Sequence, residues 1–188
     1  MNNLQDKINK TKNARFAASR RMKRDRLYAN LAVALFSFYI IVINTLVYLS
    51  DFAYYSDKIT IVTIWLSIFI VIISQIVAQQ QYELKEKNYH DCGNSLNALG
   101  DKISLLLEKG EPLTFEQREE LINAYHFILS YYQLNHNEND FRWAFRNWSD
   151  KKWDFMWSFS CQYIFDASFF YLMLIITGPI IIVLFICI

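Results

Sequence analysis

At 188 residues the chain has the length of one domain, yet it is 54% hydrophobic and 17% aromatic with only four Gly and two Pro, which excludes an ordinary soluble domain. Three cysteines, Cys92, Cys161 and Cys187, are odd in number and far apart, which argues against a disulfide framework. The formal charge of +1 conceals an asymmetry: residues 1–26 carry nine Lys/Arg against two acidic residues, whereas 79–163 carry nine against thirteen.

The chain opens with the basic arm, 1–26, which runs directly into an apolar stretch. Leu27 to Leu49 is free of charge, as is Ile59 to Ala78. At about 1.5 Å rise per residue each can cross a hydrocarbon core of roughly 30 Å. The two form a predicted transmembrane hairpin, 27–49 and 59–78. The lead is too long for a cleaved signal, and a second span follows closely. Basic residues stay on the cytoplasmic side, so Arg20, Arg21 and Arg24 are topology anchors and the N-terminus is expected inside. The connection "SDFAYYSDK" then turns on the outer side.

Polar residues mark both spans. Ser37 and Asn44, seven apart, share one face of the first. Thr60, Thr63, Ser67 and Ser74 recur at three, four and seven in the second, with Gln75 following. Polar groups in hydrocarbon need partners, so these stripes should face other helices or water. Two readings stand for Ser37, Asn44, Thr63, Ser67 and Ser74: helix packing within one hairpin, or the lining of a pore made by several copies.

The cytosolic segment, 79–140, follows. The second span is expected to continue as one long helix out of the membrane, loosened around Gly93. Leu96, Leu99, Ile103 and Leu106 give it one apolar face. Gly110 and Pro112 mark a turn. Thr114 and Gln117 have capping-box spacing, and Leu121, Tyr125, Ile128 and Tyr132 line a second helix able to fold back antiparallel on the first.

In 141–163 nine of 23 residues are aromatic, with Arg142, Arg146, Lys151 and Lys152 between them. Trp148, Trp153 and Trp157 read as anchors of an interfacial elbow. Interleaved aromatics and bases also suit nucleic acid, but the segment abuts another span, so direct nucleic-acid binding is not expected. A third transmembrane helix, 164–188, closes the chain, with Asp166 at its cytosolic boundary and Gly178-Pro179 as a kink or hinge. The fold class expected is an all-α integral membrane protein: a hairpin, a cytosolic helical pair and a C-terminal third span.

Chemistry is nearly silent. No phosphate-binding loop, nucleophile elbow or H-E-x-x-H stretch occurs. His90 and Cys92 form an isolated H-x-C, read as polar helix surface rather than a metal site, and His126 lies beside an apolar face. No enzyme activity, cofactor or metal is expected.

"ARFAASRRMKRD" before the first span and "QYELKEKNYHDC" after the second resemble the SLATT family, clearest over about residues 10–105. These are two-transmembrane effector domains associated with bacterial nucleotide-signalling and conflict systems. The third span resembles a longer variant coupled to reverse transcriptases. The resemblance implies an oligomeric, pore-forming or depolarising effector of anti-phage defence in the inner membrane. Its trigger would come from a sensor partner: a nucleotidyltransferase, a nucleotide-sensing protein or a reverse transcriptase. The alternative is a passive membrane anchor recruiting a cytosolic partner through its helices.

Overall fold

A computed structural model describes residues 2–46, 54, 56–108, 114–135, 140, 171 and 175–176. Among them the structure is helical, without strands: α1 (Asn2–Leu46), α2 (Ser56–Gln80), α3 (Tyr82–Glu108) and α4 (Phe115–Tyr132). The expected elbow with Trp148, Trp153 and Trp157, and nearly all of the third span, lie outside the described residues. The chain divides into two compact units, 1–23 with 83–151 and 24–82 with 152–188.

In the first unit the basic segment is a helix that builds the core. Ile8 is fully buried with Cys92, Leu96, Leu99 and Ile103 of α3 and with Leu121 and Tyr125 of α4. Its contacts fix the direction of each helix. Gln5 bonds Ser104 and Lys12 bonds Asn97, so α1 and α3 run antiparallel. Lys102 meets Glu120 and Ser95 meets Tyr132, which makes α3 and α4 antiparallel as the sequence predicts. Thr11 shares a hydrogen bond with Tyr125, joining α1 to α4. The result is a three-helix bundle rather than a helical pair beside an arm.

Small residues set the spacing. Ala14, Ala17 and Ala18 are buried along α1, and the Phe16 ring lies on Gly93, where a Cβ would stand 2.8 Å from Phe16 Cε1. Gly93 is therefore a point of close approach inside an unbroken helix, not a loosened one. The helix breaks earlier. Gln81 adopts φ 50, and α3 restarts at Tyr82. A left-handed Gln has no Gly or Pro to announce it.

The capping box forms as its spacing predicts: Gln117 N–H donates to Thr114 Oγ1, and Thr114 N–H donates to Gln117 Oε1. At the other end Gln133 takes a left-handed cap and donates to the Leu129 carbonyl.

In the second unit, the remainder of α1 and all of α2 form an antiparallel hairpin. Phe36 meets Phe69 edge-on at 5.9 Å, and Ile43 packs with Ile59, flanked by Tyr39 and Leu66.

Candidate functional site

The hairpin turns most of its apolar surface outward. Leu27, Leu31, Phe38, Ile41 and Val42 of α1 are exposed, as are Ile61, Ile64, Trp65, Ile68, Val71, Ile72 and Ile76 of α2. Its most apolar stretches have mean hydropathy 1.9 and 2.5, yet only 22% and 11% of their residues are buried. A core helix of a soluble protein would show the reverse. Both helices are long and apolar enough to cross a membrane.

Within this hairpin the polar residues divide by how they are satisfied. Ser37 Oγ donates to the Val33 carbonyl and Thr45 Oγ1 to Ile41, each one turn back on its own helix. On α2, Thr60 donates to Ser56, Thr63 to Thr60 and Ser67 to Thr63. Hydroxyls reach these carbonyls because their side chains are short, and the bond removes their demand for a partner. So the stripes do not pair with each other across the hairpin. Thr63 is buried, Ser74 half-buried, and Ser37 and Ser67 exposed.

Asn44 is different. Its amide is exposed on α1 beside buried Ile43, and it makes no hydrogen bond among the described residues. An amide has two donors and an acceptor, more than a backward bond to one carbonyl can satisfy. In hydrocarbon it calls for a second polar surface or water.

The three-helix bundle holds a buried polar cluster of its own. Arg15 is 4% exposed, lies over the Tyr89 ring at 5.8 Å, and leaves Nε and Nη1 without hydrogen-bond partners. Burial pushes the Cys92 thiol upward, against the opposing Arg15 charge and an Arg15 hydrogen bond. Burial also raises the Tyr89 hydroxyl, helped by the Asp140 carboxylate and opposed by Arg15 and Arg21. The Tyr89 hydroxyl donates to the Asn135 carbonyl. Nearby in sequence to Arg15, Arg21 makes a two-point bond to nearly buried Asp140 at 2.9 and 3.0 Å.

These positions revise several sequence expectations. Cys92 is fully buried, not a polar surface residue, because α3 turns it toward Ile8 and Leu96. His90 is exposed and meets the Phe16 ring edge-on. Of the arginines expected to anchor the topology, Arg20 is exposed, Arg21 holds Asp140, and Arg24 lies 3.9 Å from buried Asp25. Arg15 and Asp140 carry no motif that would have marked either as a buried charge. Their one signal is the Ala-rich face on which Arg15 sits. Among the described residues no group of three His, Cys, Asp or Glu could hold a metal ion.

The family model described as "SMODS and SLOG-associating 2TM effector domain family 5" matches residues 1–185, and the chain belongs to that family. No curated protein and no solved structure matches the chain.

Proposed function

We propose that this member of a two-transmembrane effector family is an oligomeric membrane effector that depolarises the bacterial inner membrane in anti-phage defence. The N-terminus is cytoplasmic in this reading, and a third span follows the aromatic elbow. A separate sensor supplies the trigger: a nucleotidyltransferase, a nucleotide-sensing protein or a reverse transcriptase.

The observation that carries the proposal is Asn44. Ser37, Thr45, Thr60, Thr63 and Ser67 are satisfied by carbonyls of their own helices, whereas the exposed Asn44 amide makes no bond among the described residues. One hairpin cannot enclose a conducting path. Several copies, set side by side, surround water with Asn44, Ser37 and Ser67 and give the amide its missing partners.

The test is ion leak in cells or in vesicles containing the purified chain, read with a potential-sensitive dye. Asn44→Leu is expected to insert normally and to lose leak and toxicity, because an apolar constriction dewets. Full leak from both Asn44→Leu and Ser67→Leu would reduce the stripes to packing contacts and remove the proposed pore lining.

A further inference from the structure

Helix α4 presents two exposed flanks of opposite charge, and each has an apolar centre. On one flank stand Glu116, Glu119 and Glu120, with Phe127 and Tyr131 stacked at 6.2 Å and 68% and 71% exposed. On the other, Arg118 and His126 join Lys7 and Asn3 of α1 around a cleft of about 400 Å³ whose lining includes Tyr125 and Ile122. Phe115, 80% exposed, lies along this second flank. At 3.6 residues per turn the centres of the two flanks are roughly 140° apart around α4.

The bundle does not neutralise either flank internally. Glu120 is bonded to Lys102, but among the described residues Glu116 and Glu119 make no ion pair, and no acidic side chain lines the cleft. Lys7 sits over the Tyr125 ring at 5.1 Å, and Arg118 makes no side-chain bond among the described residues. An apolar centre rimmed by charge is the anatomy of a protein interface, and complementary rims fix orientation.

We infer that the occupant of each flank is the other flank of a second copy of this chain. The acidic flank of one copy, Glu116 and Glu119 around Phe127, docks on the basic cleft of the next, Lys7 and Arg118 around Ile122. Because the two surfaces differ, the contact is heterologous. It leaves one free flank at each end of any pair, so it propagates into a ring or an open chain and does not stop at a dimer. This deepens the proposed oligomeric effector, on which it rests, by placing the assembling contact in the cytosolic bundle.

Disulfide trapping tests it in the full-length chain in membranes, with Cys161→Ser and Cys187→Ser removing those two thiols and Cys92 enclosed in the core. A chain carrying both Asn3→Cys and Asn123→Cys is expected to oxidise into a ladder of dimer, trimer and higher species. Either cysteine alone is expected to give none. Glu116→Lys with Glu119→Lys, or Lys7→Glu with Arg118→Glu, should each reduce the ladder on the order of tenfold. Mixing those two charge-reversed chains should restore it, since every contact again joins opposite charges. Restoration also shows that the variants fold. Self-crosslinking of a single-cysteine chain, or a ladder indifferent to charge reversal, overturns the inference. If leak persists in that case, the effector reading stands without it. Absence of both higher species and leak would overturn both.

Discussion

The two units solve opposite burial problems with the same kind of helix. In the bundle, Ile8, Leu96 and Ile103 are fully enclosed and most charges face out, with Arg15 and Asp140 buried. In the hairpin, Ile61, Ile68 and Ile72 face out, and the buried positions include Ala29, Ala32 and Thr63. Helix α1 contributes to both. The difference teaches that one helix can carry two burial patterns, its apolar residues turned inward over its first half and outward over its second. Only the placement of side chains changes.

The strongest test of this contrast truncates the same kind of side chain in each unit. Leu96→Ala should cost the bundle about 2–5 kcal/mol, because the cavity lies in a closed core. Leu31→Ala, on the outward face of α1, should leave the bundle's denaturation midpoint unchanged. Equal losses at the two positions would mean that Leu31 is packed as a core residue.

A smaller effect is expected at the closest approach in the bundle. Gly93→Ala places a methyl group 2.8 Å from the Phe16 ring and should destabilise by about 1–3 kcal/mol. Phe16→Leu in the same chain should recover part of that loss. A double-mutant cycle without coupling would place the strain elsewhere.

How much of this was legible from residue order depends on whether the signal was local. The two long apolar helices of the hairpin declared themselves through length and absence of charge. Thr114 and Gln117 announced a cap because the motif closes within four residues. Leu96, Leu99 and Ile103 announced a face because their spacing repeats. The basic segment did not announce itself as a core helix, since its buried apolar positions, Ile8, Ala14, Ala17, Ala18 and Met22, are mostly small and lie among nine cations. The break at Gln81 was equally hidden, because the residue has no intrinsic preference for a left-handed backbone. Asp140 could not be matched to Arg21 from a separation of 119 residues.

Next in size is an alkaline limit confined to the bundle. Cys92 and Tyr89 both hold their protons more tightly folded than unfolded, chiefly through burial. The stability they contribute is full below their ordinary values, 9.0 and 10.0, and is lost as pH rises through the folded values. Thermal melts between about pH 8 and 11 should show the decline, and Cys92→Val should remove its first part. A flat profile would mean that neither group is desolvated.

The smallest effect expected is at the start of α4. Thr114→Ala removes one side of the capping box and should cost about 1 kcal/mol, with Gln117→Ala adding little afterwards. Calorimetry of the two single variants and the double variant measures that coupling. Full additivity would show that the two bonds act independently.

Cys92 also gives the bundle a clock. Its thiol is enclosed by Ile8 and Leu96, so a reagent added on either side of a membrane reaches it only when the helices part. Its rate of modification therefore counts openings of the bundle, as amide exchange would, and not the side of the membrane on which it lies. In the proposed effector, that rate, followed before and after triggering, would show whether the bundle opens as leak begins. Sidedness is better read from a cysteine placed at exposed Asn123.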